Sequence, residues 1–255
     1  MLFERDAVIT CYIGYDPRDD KAFRVCEASI RKHATESVRI CPLKENELRK
    51  LGYGRPYFVA ANGQMVDAID AKPFSTQFSF SRFFVPFLMG YADTVAVFCD
   101  ADMMWRADIA ELIDSCQGDK AVWCVQHKHS PTEETKMDGM QQTRYRRKNW
   151  SSLFVCNPSR NTFLTPERVS ELPGTYLHGF CWLKDEEFGA LPEAWNWLVG
   201  TSPPEIDAKV VHWTLGTPDF PGHENDAYAK EWRGMWNNRG SSELERTMWT
   251  QDREA

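Results

Sequence analysis

The 255-residue chain has no apolar run approaching the roughly 18 residues that a spanning helix needs. Its longest such runs, Thr94 to Cys99 and Ala121 to Val125, have the length of strands. No transmembrane segment is therefore expected. No Cys-x-x-Cys spacing occurs either: the eight cysteines fall at positions 11, 26, 41, 99, 116, 124, 156 and 181, several of them inside apolar segments. This removes the common zinc-ribbon and dithiol redox motifs and predicts reduced cysteines that serve as small core hydrophobes. The start, Met1-Leu2-Phe3-Glu4-Arg5-Asp6, has no basic leader and no small-residue cleavage site, so a cytoplasmic location is expected. Positive charge is in deficit, 30 Lys+Arg against 37 Asp+Glu for a net charge of −7. A surface of that sign disfavours a general binder of nucleic-acid backbones. Repeats and low-complexity stretches are missing too. What remains is 42% hydrophobic and 13% aromatic, enough to exclude a disordered scaffold. A chain of this length buries roughly three quarters of its unfolded surface, so it needs neither disulfide nor structural metal to hold a core.

The order of apolar runs and turn residues predicts the architecture. Val8 to Ile13 reads as a buried strand ending in Gly14-Tyr15-Asp16-Pro17, which supplies a turn, an N-cap carboxylate and a proline suited to a first helical position. Ala22, Phe23, Cys26 and Ile30 then recur at helical spacing to about Lys32. Val38 to Leu43 is the next strand, Lys44 to Lys50 a polar helix, and Gly52-Tyr53-Gly54-Arg55-Pro56 a break. A helix over about Ser79 to Met89 carries Phe80, Phe83, Phe84, Phe87 and Leu88 on one face and is interrupted by Pro86. Asp108 caps a short helix through Ile113. Further strands fall at Ala121 to Val125, Ser152 to Cys156 and Lys209 to Gly216, with a long polar loop at Gln126 to Lys148. Such alternation predicts an α/β fold with a mostly parallel, helix-flanked sheet. Residues 1–222 read as one domain, and 223–255 as a C-terminal helix and polar tail packed on it or trailing from it.

An Asp-x-Asp pair alone carries little, because 18 Asp in this length produce about one such match by chance. Position supplies the specificity. Asp100 and Asp102 stand at the carboxyl end of the apolar run Thr94 to Cys99, where open α/β sheets place their ligands. Residues two apart on an extended chain point to one side, so both carboxylates can meet one divalent cation while Ala101 turns away; the alternative is a solvated acidic turn. His212, at the end of Val210-Val211, is either a hydrogen-bonded core histidine or the nitrogen of an O,O,N donor set suited to manganese, with magnesium the choice for a purely oxygen set. Trp150 and Trp182 have the rings to stack on sugars, although large aromatics are more often core. The run Arg144-Tyr145-Arg146-Arg147-Lys148 reads most simply as a solvated basic loop. His127, His129 and His178 have no metal-ligand spacing and stay unassigned.

The ordered series Tyr12-Ile13-Gly14-Tyr15-Asp16, Phe80-Ser81-Arg82-Phe83-Phe84-Val85-Pro86, Phe98-Cys99-Asp100-Ala101-Asp102-Met103, Asn149-Trp150-Ser151-Ser152 and His212-Trp213-Thr214-Leu215-Gly216 resembles the family 8 type of GT-A glycosyltransferases over about residues 8 to 218. The resemblance implies a GT-A-like α/β fold and transfer of a sugar from a nucleotide-diphosphate donor, with retention of anomeric configuration. It implies Asp100, Asp102 and His212 as ligands of Mn2+, with Mg2+ as the alternative ion. It further implies Ile13, Gly14, Tyr15 and Asp16 at base and ribose, Arg82 beside the metal motif, and Ala101 and Gly216 within the donor-binding segments. Asn149 and Ser151 join Asp100 and Asp102 as the implied catalytic set, near the transferred sugar and its acceptor. One departure stands out. Gly216 lies four positions after His212 rather than three, and Pro218-Asp219-Phe220 replaces the Lys-Pro-Trp with which the family grips the diphosphate. His223, Lys230, or Arg82 with the metal alone are the candidate substitutes.

Two other readings use the same residues. A nucleotidyltransferase would share the acidic pair but needs a Gly/Arg/Lys-rich triphosphate loop, which Tyr15-Asp16-Pro17 is not. A non-catalytic nucleotide-sugar or carbohydrate-binding protein would keep the fold without turnover. The acceptor, whether glycan, lipid, protein or nucleic acid, and the oligomeric state are set by loop shape rather than motif.

Overall fold

The computed structural model describes residues 8–128 and 147–238. The amino-terminal hexapeptide, His129, Arg144 to Arg146 and the tail beyond 238 lie outside them. In chain order the strands are β1 (Ile9–Gly14), β2 (Val38–Leu43), β3 (Tyr57–Val59), β4 (Met65–Asp67), β5 (Pro73–Phe74), β6 (Ala96–Cys99), β7 (Met103–Trp105), β8 (Val122–Val125), β9 (Leu153–Cys156), β10 (Phe188–Leu191), β11 (Trp197–Leu198) and β12 (Val210–His212). The helices are α1 (Asp20–His33), α2 (Glu45–Lys50), α3 (Phe78–Ser81), α4 (Val85–Leu88), α5 (Ile109–Asp114), α6 (Pro166–Glu171) and α7 (Gly174–His178).

The main sheet runs β10-β8-β9-β6-β1-β2. Only β9 opposes its neighbours; the β1–β2, β1–β6 and β8–β10 pairs are parallel. This is the mostly parallel mixed α/β sheet that the sequence predicts. Strands β6, β8 and β9 are buried along their whole lengths, which is why they read as continuous apolar runs instead of alternating ones. Helix α1 follows the predicted stripe, burying Ala22, Phe23, Val25, Cys26 and Ile30. It starts on Asp20 and ends in Arg31, Lys32 and His33, charges that suit the helix dipole.

Three features depart from the sequence reading. The aromatic helix is three short pieces, α3, a 3-10 turn at Arg82–Phe84, and α4, with Pro86 in the first turn of the last. Residues 57–74 form a separate antiparallel sheet, β3-β4-β5, in a stretch that gave no strand signal. A third sheet, β11-β12-β7, uses Met103–Trp105, a strand hidden because it follows the acidic pair directly. Its antiparallel register sets His212 opposite Met103.

All eight cysteines are free thiols; five are buried, but Cys41 and Cys116 are half-buried and Cys181 is exposed. The expectation of core cysteines therefore fails at Cys181. Among the described residues no helix is long and apolar enough to cross a membrane.

Candidate functional site

Register explains how residues 110 apart in the chain meet. Strand β6 ends at Cys99, and the Asp100 amide donates to the Ser152 carbonyl at 2.8 Å, so the start of β9 lies beside the end of β6. Two residues on, β7 pairs with β12, and the Trp213 amide donates to the Asp102 carbonyl at 3.1 Å. The result places one ligand atom from each of Asp100, Asp102 and His212 within 4.8 Å of one another. His212 Nε2 is 3.4 Å from Asp102 Oδ1.

The orientation of that imidazole follows from Asn196, a fully buried residue in the 3-10 turn before β11. Ser152 Oγ donates to the Asn149 carbonyl at 2.7 Å, so it accepts from Asn196 Nδ2 at 2.9 Å. Asn196 Oδ1 is thereby turned to His212 Nδ1 at 2.9 Å. An amide oxygen only accepts, so Nδ1 donates to it, and Nε2 is the ring nitrogen turned to the carboxylates. Two carboxylates and an imidazole held by an outer hydrogen bond are a chemically suitable set for a divalent ion of the manganese or magnesium kind. The residues present fit a metal.

An open cleft, lined by both polar and aromatic side chains, lies over this cluster. Arg82, Asp100, Asp102, Asn149, Ser151 and His212 all line it. Arg82 is buried, with Nη1 2.9 Å from Asp100 Oδ1 and 2.7 Å from the Ser151 carbonyl. Its Nε has no hydrogen-bond partner among the described residues. Asn149 sits at φ 64°, in the left-handed region that asparagine tolerates better than most residues. Ile13, Gly14, Tyr15, Asp16, Ala101 and Gly216 do not line the cleft. Gly14 acts through its lack of a side chain, since a Cβ there would stand 2.4 Å from the Phe78 ring, which does line it.

Asp16 is fully buried and caps the turn into α1. Burial alone would raise its carboxyl, but hydrogen bonds from the Arg18 side chain and from the Gln77 and Arg18 amides hold it below the ordinary range. Asp19 is the carboxylate of this loop that reaches the cleft. Burial, then the charges of Asp102 and Asp16, push it up to about 7.

Neither His223 nor Lys230 lines the cleft. His223 Nδ1 lies 2.8 Å from Asp226 and its ring covers Gly216, while Lys230 is exposed. Among the described residues, Arg82, Lys72 and Lys148 line the cleft instead. Lys148 is buried, as is Arg147, which donates to the Gly179 and Phe180 carbonyls. The described end of the basic run is therefore not a solvated loop. Trp150 and Trp182 are core-packed, donating to His127 O and Asn161 Oδ1, and do not face the cleft.

Sequence reasoning missed the opposite wall. Asp70, Lys72 and Phe74 from the small sheet, with Phe80 and His178, complete the cleft. Asn196 was missed as well; its signal is only a lone polar residue in Trp195-Asn196-Trp197.

No family model matches the chain. It is 42% identical over 228 residues, 87% of this chain and 83% of the relative, to the Arabidopsis thaliana protein named Protein CDI. Its structure resembles that of the WbbM bifunctional glycosyltransferase, with a TM-score of 0.59, 16% identity and 92% of this chain covered. The chain spans half of the length of that protein. It also resembles the galactosyltransferase LgtC in complex with donor and acceptor sugar analogues, with a TM-score of 0.56 and 11% identity over 90% of this chain and 96% of that one. At these identities the likeness establishes the fold, which is that of the GT-A glycosyltransferases.

Proposed function

Since the chain belongs to the family of the Arabidopsis Protein CDI and has a GT-A fold, we propose that it is a metal-dependent glycosyltransferase of family 8 type, moving a sugar from a nucleotide-diphosphate donor to an acceptor with retention of configuration. The observation that carries this reading is the convergence of Asp100, Asp102 and His212 on one point of an open cleft. We place the protein in the cytoplasm, with residues 1–222 as the transferase domain and 223–255 as its C-terminal appendage.

Asp100, Asp102 and His212 Nε2 would hold the ion, by preference Mn2+. When bound, it supplies Lewis-acid stabilisation of the negative charge that develops on the departing diphosphate. Arg82 adds positive charge at the same wall, and its pairing with Asp100 aims both groups before the donor arrives. Lys148 and Lys72 also line the cleft and are our candidates for the diphosphate, in the role that Pro218-Asp219-Phe220 cannot fill. We assign base and ribose to the loop after β1: Ile13 to Asp16 build it without lining the cleft, and Asp19 presents its carboxylate there. Ala101 and Gly216 contribute backbone to the donor segments. Asn149 and Ser151 stand where sugar and acceptor meet.

The test is incubation with Mn2+ and a panel of nucleotide sugars, following free nucleoside diphosphate. Slow donor hydrolysis that chelator abolishes is the expected result. Pyrophosphate release from a nucleoside triphosphate would replace this reading with nucleotidyl transfer, and donor binding with no product would leave a binding protein.

A further inference from the structure

His178, which no motif singles out, occupies a built position in the cleft. Its ring stands 5.6 Å from Phe80 and 5.3 Å from Phe83 by centroids, edge-on to the latter, so two aromatic faces fix its plane. Its Nδ1 is 2.9 Å from Ser151 Oγ. Ser151 is 1% exposed, and its carbonyl takes the Arg82 Nη1 that also reaches Asp100. An unbroken chain of contacts thus runs from the metal-side carboxylate through Arg82 and Ser151 to the imidazole. The helix that carries it, α7, is seated by two further constraints. A Cβ on Gly174 would stand 2.6 Å from Phe80, and the Gly174 amide donates to Asp70 Oδ2 at 3.0 Å.

The surroundings of His178 differ from those of the carboxylates. Phe74 and Phe80 bring aromatic rings to the cleft lining, and Thr175, Asp70 and Lys72 bring polar groups to it. Aromatic faces beside a few convergent hydrogen-bonding groups suit a ring bearing hydroxyls. From the Asp100 carboxylate, His178 is reached through Arg82 and Ser151 alone. Resting on the transferase reading, we propose that His178, oriented by Ser151, binds a hydroxyl of the transferred sugar through Nε2. Ser151 is the positioning residue of this pair.

The test separates the two ends of the donor. With Mn2+, UDP and GDP binding is measured by calorimetry, and turnover of the nucleotide sugars that the native protein hydrolyses is measured under the same conditions. For His178→Ala we expect nucleoside diphosphate affinity within about twofold of native and kcat/KM on the nucleotide sugar lowered about 30-fold, the scale of one lost hydrogen bond in a desolvated site. His178→Gln, which returns an amide near the Nε2 position, should recover at least fivefold over His178→Asn, which returns one near Nδ1 only. Ser151→Ala should lose about tenfold. Thermal melts confirm folding, and the Gln variant keeps the test alive if Ala unfolds. Native-like kcat/KM in His178→Ala, Asn no worse than Gln, or nucleoside diphosphate affinity falling in step with turnover would each overturn the proposal. A native protein that binds no nucleoside diphosphate and turns over no donor overturns the transferase reading itself, and this one with it.

Discussion

The two ends of the cleft are built differently. The carboxylate end is made by strand termini of two sheets, with β6 against β9 and β7 against β12, and its polar groups are linked through Asn196. The aromatic end is made by α3, α7 and β5, none longer than 5 residues, which cannot hold their shape alone. One buried side chain does much to fasten it. Arg55, 2% exposed, ion-pairs with Asp67 on β4, donates to the Val169 and Leu172 carbonyls at 3.0 and 2.8 Å, and stacks 3.8 Å from the Phe80 ring. The difference teaches that the Asp-Asp-His cluster rests on the sheets, whereas the aromatic wall proposed to meet the sugar rests on short peripheral elements.

The sharpest way to break this comparison is Asp102→Asn. Its side chain is 27% exposed in a turn, so the fold loses little, and the metal-free melting temperature should move by no more than about 2 °C. Metal-dependent nucleotide binding should vanish in calorimetry. Unaltered affinity would remove the carboxylate end as a metal site.

Arg55→Ala attacks the other end. It leaves Asp67 buried and unpaired, and a broken buried ion pair costs about 3–5 kcal/mol. Urea denaturation should show that loss while Mn2+ affinity of the folded protein stays within a few-fold of native. Equal damage to both would mean that the two ends are one unit.

Asn196→Ala is the milder, internal test. It removes the acceptor that fixes His212 and the donor to Ser152, and outer partners of metal-binding histidines are worth about 10–100-fold in affinity. Mn2+ titration should show that drop, and Asn196→Asp, which restores the acceptor, should recover part of it. A variant with native affinity would show that the β7–β12 register alone orients the ring.

The same contrast explains what the sequence made legible. Strands β1, β2, β6, β8 and β9 and helix α1 follow local rules, an apolar run or a 3.6-residue stripe bounded by Gly, Pro or Asp, and they carry Asp100, Asp102 and, through β12, His212. The small sheet has no such pattern: Phe58 and Val59 are apolar yet exposed, and of its middle strand Met65 and Asp67 are buried, one apolar and one charged. Asn196 and His178 were illegible for a related reason. Their meaning lies in partners 16 and 27 residues away, and a single polar residue between apolar ones looks the same whether it points to water or to an imidazole. Asp16 misled because one aspartate serves as well to cap a turn as to meet a ligand; three residues later Asp19 takes the cleft.

The smallest effect sought concerns that residue, and it sharpens the comparison by asking whether the carboxylate end is electrostatically crowded when no cation is bound. Burial first, and then Asp102, hold the Asp19 carboxyl up to about 7, against an ordinary value of 3.8. Between those values the folded chain keeps a proton that the unfolded chain has released, so stability falls as pH rises through this window. Each unit corresponds to about 1.4 kcal/mol, but Asp19 borders a solvent-filled cleft, and screening there should leave roughly 1 kcal/mol expressed. Asp19→Asn has no such proton to lose. Metal-free melts should therefore coincide with native near pH 4 and run a few degrees higher at pH 8, and saturating Mn2+ should shrink the gap by favouring the ionised native carboxylate. A variant no more stable than native at pH 8 would show that the cleft leaves Asp19 well solvated, and the contrast between a charge-strained end and an aromatic one would then rest on the metal ligands alone.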